Sequence, residues 1–263
     1  MKIEWQRYAD HAYCFHYLPK KSRKEFMDHQ LEFVDLLNNP IFEYKFATDN
    51  MMYDAFLKDP DIKKVDRVNL SIYTGFFKST IDQYLCLKEA YDRGFESIFL
   101  FEDDLAFYDN KTMIVDVLEN RPFDADLCLY DWWPAPQSVE EVRKRSLLDK
   151  YVQFGSVDEE PRIYLYASSF MWISHAMIKH LIDKYETEFC ESDSIYNNTT
   201  DDTMIRYYSN PHLGRQMQFS EHNSPVNMDF IYRDRVPGFD MSMYNFVHAQ
   251  PKSQSFETEL MFI

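Results

Sequence analysis

Glycine is scarce in this chain, at 5 of 263 residues, and the glycine-rich motifs of nucleotide and ester chemistry are missing. The sequence contains no GxSxG, GxxxxGK or GxGxxG element. Each of these motifs needs glycine because its backbone turns sharply or approaches a phosphate closely. A serine-hydrolase elbow, a P-loop and a dinucleotide fingerprint are therefore unsupported.

Paired cysteines and long apolar runs are also missing. The four cysteines lie far apart with no CxxC pair, so we expect buried free thiols and no zinc site; they are Cys14, Cys86, Cys128 and Cys190. No apolar run is long enough to span a membrane, and residues 1–7 lack the apolar core of a signal peptide. We therefore expect a cytoplasmic protein with no transmembrane segment, in a bacterium or, if phage-encoded, in its host.

Positive charge is in the minority, because 28 Lys and Arg residues stand against 44 Asp and Glu residues and the net charge is −16. Such a charge argues against broad nonspecific binding to nucleic acids or anionic membranes. A local basic patch remains at residues 20–24, where Lys20, Lys21 or Arg23 could meet phosphate groups.

Helical and strand patterns alternate along the chain, which predicts an α/β fold with a mainly parallel sheet flanked by helices. The predicted strands cover 12–17, 42–47, 97–101, 125–130 and 162–173, the last as one strand or a strand pair. The predicted helices cover 22–37, 79–93 with Ser79 or Thr80 as cap and Gly94 as stop, 111–118, and 175–185 after a Ser174 cap. We expect one domain over 1–235 and a C-terminal tail, 236–263, packed on it.

The most informative segment is the strand 97–101, which runs directly into Glu102, Asp103 and Asp104. Acidic side chains at the C-terminal edge of such a strand lie where α/β folds bind their ligands. Two carboxylates there can hold a divalent metal, and the metal can hold a diphosphate. A second acidic triplet at 158–160 has no such context and is typical of a solvated loop.

Other candidate residues allow two interpretations each. Asp201 and Asp202 begin a predicted helix capped by Thr200, so they are either simple helix-start residues or a general base for a hydroxyl. His222 or His248 could complete a metal shell, although a lone histidine is more often structural. The segment Asp131-Trp132-Trp133 ends a predicted strand, and its tryptophans either stack on a sugar or close the core.

The order of these segments resembles the family 25 glycosyltransferases, which include lipopolysaccharide sugar transferases and collagen galactosyltransferases. The resemblance covers roughly residues 12 to 225, and Thr80 and Tyr17 stand where the family usually has His and Asn. The matching segments are Tyr17-Leu18 with Arg23, Gly75 to Thr80, Leu100 to Asp104, Ser168 to Ser174, Asp201-Asp202, and Pro211 to Gln216.

The resemblance implies a GT-A-like, Rossmann-like fold and a metal-dependent glycosyltransferase that takes a sugar from a nucleotide-sugar donor, UDP-linked, with inversion. It implies Mn²⁺ or Mg²⁺ as cofactor. The implied metal ligands are Glu102 and Asp104, and His222 is the candidate third ligand that the residues themselves offer. The implied donor contacts are Tyr17, Leu18, Arg23, Ser79 and Asp103. The candidate base is Asp201 or Asp202.

Three functions remain open at this point. The first is transfer of a hexose or pentose to a glycan such as lipo-oligosaccharide. The second is the same chemistry on hydroxymethylated bases of phage DNA, and the third is an inactive nucleotide-sugar-binding module. Metal-dependent hydrolysis of a nucleotide sugar would separate the enzymes from the module.

The base assignment is tested by comparing Asp201→Asn with Asp202→Asn. Loss of a positioned base costs about 100- to 10,000-fold in rate. One variant is therefore expected to lose turnover by that factor while it still binds donor and metal. Near-normal turnover in both variants would show the assignment to be wrong, and Asp131 or Glu221 would be the next candidates.

Overall fold

The computed structural model describes residues 1–16, 21–46, 51, 55, 58, 74–146, 149–155, 162–166, 169–187, 189, 192–197 and 203–217. The helices are α1 (Lys21–Phe33), α2 (Thr74–Asp92), α3 (Lys111–Glu119), α4 (Val139–Ser146), α5 (His175–Thr187) and α6 (Ser192–Asn197). The strands are β1 (His11–His16), β2 (Phe42–Phe46), β3 (Ser97–Glu102), β4 (Leu105–Phe107), β5 (Leu127–Leu129), β6 (Trp133–Pro134), β7 (Tyr151–Gln153), β8 (Leu165–Tyr166), β9 (Phe170–Ser174), β10 (Arg206–Ser209) and β11 (Gly214–Gln216).

The main sheet has seven strands in the order β2-β1-β3-β9-β5-β10-β7. Strand β1 pairs in parallel with β2 and β3, and β5 pairs in parallel with β10. Strand β9 is antiparallel to both β3 and β5, and β7 is antiparallel to β10. Five of the seven strands therefore run in one direction, which confirms the α/β class and the mostly parallel sheet and is compatible with a Rossmann-like fold.

Both faces of the sheet are covered, because successive strand residues point to opposite sides and both sets are apolar. Along β3, Ile98 and Leu100 belong to one buried cluster with α2 and α5, whereas Phe99 and Phe101 belong to the other with α1 and α3. Burial on both sides explains why this strand is apolar from Ile98 to Phe101, directly before Glu102. The first polar residues therefore mark the edge of the sheet.

The four helices predicted over 22–37, 79–93, 111–118 and 175–185 are present, with shifted ends. The helix predicted to begin at Asp201 does not continue into the described residues, because 203–205 are not helical and Arg206 begins β10. Helix α1 stops at Phe33 instead of 37, because Asp35 adopts a positive φ of 62° and the Leu36 N–H bonds to the Leu31 carbonyl. Helix α2 begins at Thr74, so Ser79 and Thr80 lie inside it and do not cap it. This prediction was wrong because local capping preference does not exclude an earlier start.

The structure confirms several other predictions from the sequence, and some predictions concern residues that it does not describe. Ser174 does cap α5, since its Oγ accepts from Met177 N–H at 3.2 Å, and segment 162–173 does contain two strands, β8 and the start of β9. The described cysteines are buried free thiols. Cys190, the domain boundary at 235 and the tail 236–263 lie outside the described residues. In the part of the chain described, no helix combines the length and apolarity needed to cross a membrane.

A close approach between β11 and β4 makes Gly214 a test of this packing. A Cβ at this position would lie 2.6 Å from Cδ1 of Leu105, so Gly214→Ala is expected to destabilise the protein by about 1–3 kcal/mol, as overpacking does. The measurement is urea unfolding of the single variant and of the same change in a Leu105→Ala background. The cost should shrink in that background, and an equal cost in both would contradict the clash.

Candidate functional site

The C-terminal ends of β1 and β3 meet at the edge of the sheet. The parallel register pairs Phe15 with Glu102, so the next residues, His16 and Asp103, come together. Nδ1 of His16 lies 2.5 Å from Oδ2 of Asp103, and both side chains are buried. The strand pairing thus fixes an imidazole against the middle residue of the acidic triplet.

Arg23 in the first turn of α1 binds the same triplet. Its Nη2 contacts Oδ1 of Asp103 and lies 2.7 Å from Oδ2 of Asp104, and the guanidinium is largely buried. The neighbouring carboxylates outweigh the effect of burial and raise the pKa of Arg23 above its usual value. Arg23 is therefore a charged partner of two carboxylates, and its expected role at donor phosphates stays a prediction.

Glu102 lies partly exposed and is held from two sides. Ser79 Oγ donates to its Oε1 at 3.0 Å, and the side-chain amide of Gln216 donates to its Oε2 at 2.8 Å. Ser79 comes from α2 and Gln216 from β11, so three separate segments meet at this carboxylate. The structure thereby brings the predicted residues Ser79 and Glu102 into contact.

Asp131 joins the site from the end of β5, although β9 separates β5 from β3. Ser169, just before β9, connects the two strand ends. Its Oγ donates to Oδ2 of Asp131. Its backbone carbonyl accepts a hydrogen bond from the Glu102 N–H at 3.0 Å. The Gln216 N–H donates to the same Oδ2 at 3.1 Å. Asp131 is completely buried, which favours a positioning role over that of an exposed base.

Burial raises the pKa of Asp104. The carboxyl is 1 % exposed, and burial, with the negative charges of Asp103 and Asp131, raises its pKa to about 7 although Arg23 and the Gln216 amide act against the rise. Neither oxygen accepts a hydrogen bond of normal geometry from the described residues. The ion pair with Arg23 thus compensates Asp104 incompletely.

The aromatic segment after β5 closes the core. Trp132 is buried, donates from Nε1 to the Ser209 carbonyl at 2.9 Å, and packs on His212 with ring centroids 4.1 Å apart. Burial lowers the pKa of His212, so this ring is neutral near pH 7. Trp133 is partly buried beside Tyr166, with centroids 6.3 Å apart. Of the two interpretations of the tryptophans, the core one holds for Trp132.

The structure therefore gathers Glu102, Asp103, Asp104, Arg23 and Ser79 at one edge of the sheet. The other predicted site residues lie outside the described part of the chain, and their assignments stay predictions; they are Tyr17, Leu18, Asp201, Asp202, Glu221, His222 and His248.

Sequence reasoning missed His16, Ser169 and Gln216, and it gave Asp131 only a secondary place. His16 directly precedes the predicted donor loop, and Gln216 ends the last segment of the family resemblance, so position along the chain offered a weak signal for both. Ser169 lies in the matching segment Ser168 to Ser174, but that segment did not indicate its role, which depends on the antiparallel placement of β9.

In comparisons with known proteins, no family model matches the chain and no curated protein matches it. The family 25 resemblance therefore stays an expectation.

A divalent cation suits the donor set. The described residues offer no group of three or more His, Cys, Asp and Glu side chains arranged to hold a metal. Glu102 and Asp104 nevertheless supply hard carboxylate oxygens, the type that Mg²⁺ and Mn²⁺ prefer. Oδ1 of Asp104 is buried and accepts no hydrogen bond from the described residues, which is a setting that a cation would stabilise.

The raised pKa of Asp104 makes a prediction about stability in metal-free buffer. In the unfolded chain the carboxyl of Asp104 has its ordinary pKa of 3.8, whereas in the folded protein its pKa is about 7. The folded state thus binds more protons in this window, and the contribution of Asp104 to the free energy of unfolding falls as pH rises from about 4 to about 7. Asp104→Asn removes this loss.

The measurement is urea unfolding of both proteins with a chelator at several pH values. The stability of Asp104→Asn relative to the unmodified protein should rise with pH across the window, by at most about 1.4 kcal/mol per pH unit, and level off above it. The control is Asp109→Asn, which changes an exposed carboxylate. Parallel curves for the protein and Asp104→Asn would contradict the assignment.

Proposed function

We propose that the protein is a metal-dependent glycosyltransferase that moves a sugar from a nucleotide-sugar donor to an acceptor hydroxyl. The observation that carries the proposal is the buried carboxylate Asp104 beside the partly exposed Glu102, at the C-terminal edge of β3. Ligands of α/β sheets bind at this edge. The family resemblance, through Leu100 to Asp104 and the flanking segments, points to the same chemistry.

In this proposal some of the described residues bind the ligand, and others position the side chains that bind it. Glu102 and Asp104 would bind the cation, which when bound supplies positive charge to a diphosphate leaving group. Arg23 and His16 fix Asp103, and Ser79 orients Glu102. Such fixed side chains can meet charge as it develops without reorganising, which is the main source of electrostatic catalysis.

The acceptor in this proposal is a glycan hydroxyl. A net charge of −16 opposes close approach of polyanionic DNA and of an anionic membrane surface alike, so the choice of a glycan acceptor rests on the family resemblance. The base that removes the acceptor proton is assigned to Asp201 or Asp202 on the sequence alone. Transfer with inversion requires one such base, since the acceptor oxygen attacks the sugar carbon directly as the bond to the diphosphate breaks.

The experiment is a thermal-shift screen of UDP-, GDP-, CMP- and dTDP-sugars with Mn²⁺, with Mg²⁺ and with a chelator. One donor is expected to stabilise the protein only when metal is present, by about 2.7 kcal/mol at 100 times its Kd. Glu102→Gln and Asp104→Asn should each lose the metal-dependent shift. Glu119→Gln, an exposed carboxylate on α3, is the control and should keep it.

The donor found in this screen is then incubated with metal and water, glycans or DNA containing hydroxymethylated bases. Release of nucleoside diphosphate that increases with a glycan supports the proposal. An increase with DNA alone would establish the alternative acceptor, and tight binding without any release would establish an inactive binding module. No stabilisation by any donor with either metal would overturn the proposal.

A further inference from the structure

Gln216 contacts two acidic residues of the site, one through its side chain and one through its backbone. Its side-chain Nε2 lies 2.8 Å from Oε2 of Glu102, and its backbone N–H donates to Oδ2 of Asp131 at 3.1 Å. Asp103, the acidic residue between Glu102 and Asp104, is held instead by His16 and Arg23.

The backbone that carries Gln216 is fixed independently of its side chain. Strand β11 pairs with β4, with Gln216 opposite Leu105. The Met217 N–H donates to the Asp104 carbonyl at 2.7 Å, and the Leu213 N–H donates to the Tyr130 carbonyl at 2.9 Å. The strand is therefore held by contacts that do not involve the side chain of Gln216.

A cation between Glu102 and Asp104 can take a further protein oxygen besides water and phosphate oxygens, and the described residues offer no group of three or more His, Cys, Asp and Glu side chains that would supply it. An amide carbonyl oxygen is an accepted ligand of hard divalent cations. We propose that the side-chain amide oxygen of Gln216 is a ligand of the cation bound by Glu102 and Asp104. This inference rests on the proposed function, which places the cation there.

The geometry suits this role. In the metal-free protein the NH₂ end of the amide faces Glu102, and half a turn about the last side-chain torsion exchanges it for the oxygen. Adjacent ligands of an octahedral cation with bonds of about 2.1 Å lie about 3 Å apart. The 2.8 Å between Nε2 of Gln216 and Oε2 of Glu102 is close to that separation, so an exchange of the amide ends would place the oxygen at ligand distance from a cation bound to Glu102.

The test is a titration of the full chain with Mn²⁺, in which free Mn²⁺ is measured by its paramagnetic resonance signal. Gln216→Leu is expected to weaken Mn²⁺ binding about tenfold or more, as the loss of a ligand or its close support does. Gln153→Leu, an exposed glutamine on β7, should bind Mn²⁺ as the unmodified protein does. Circular dichroism and thermal unfolding establish that each variant is folded.

Gln216→Glu separates a ligand from a mere hydrogen-bond donor. A carboxylate cannot donate to Glu102 and repels it, so a donor role predicts weaker Mn²⁺ binding. A ligand role predicts tighter binding, since a carboxylate oxygen replaces a neutral amide oxygen. Electron–nuclear double resonance on protein labelled with ¹³C at the glutamine side-chain carbonyl should also detect a coupling to bound Mn²⁺ that Gln216→Leu abolishes.

The outcomes distinguish the two proposals. If the unmodified protein binds no Mn²⁺, or if Glu102→Gln and Asp104→Asn bind it normally, the proposed cation site fails and the Gln216 inference fails with it. If those two carboxylate variants lose Mn²⁺ binding while Gln216→Leu keeps it, or if the ¹³C coupling is missing, only the Gln216 inference is overturned.

Discussion

The buried ion pairs of Arg23 with Asp103 and Asp104 are the interactions on which the edge of the sheet depends. Adjacent carboxylates are costly to bury unless a charge and hydrogen bonds compensate them, and breaking a buried pair typically costs about 3–5 kcal/mol. Arg23 belongs to α1 and the carboxylates follow β3, so this pairing also fixes α1 against the strand. His16 adds a third contact from β1.

The second constraint is the antiparallel strand β9 between β3 and β5. Its start lies beside the ends of its neighbours, so Ser169 lies between Glu102 and Asp131. Strand β11 then crosses the same region, and Gln216 reaches both carboxylates. A sheet with purely parallel neighbours would have no strand start at this point.

These two constraints together explain why Asp104 is unusual. Arg23 stabilises its ionised form, yet burial and the charges of Asp103 and Asp131 outweigh that effect and hold its pKa near 7. A bound cation would reverse the balance, because it favours the ionised carboxylate. The proposed cation site and the pH dependence of stability thus have the same physical origin, the incomplete compensation of a buried charge.

The sequence by itself determined the α/β class, most helices and strands, and the location of Glu102, Asp103 and Asp104 at a strand end, because these follow from local periodicity, capping and the length of apolar runs. It did not determine that β9 is antiparallel, that Arg23 pairs with two carboxylates, or that Gln216 contacts Glu102 from 114 residues away. Only the tertiary structure decided these contacts, since they depend on strand order and register, which residues distant in the chain set together.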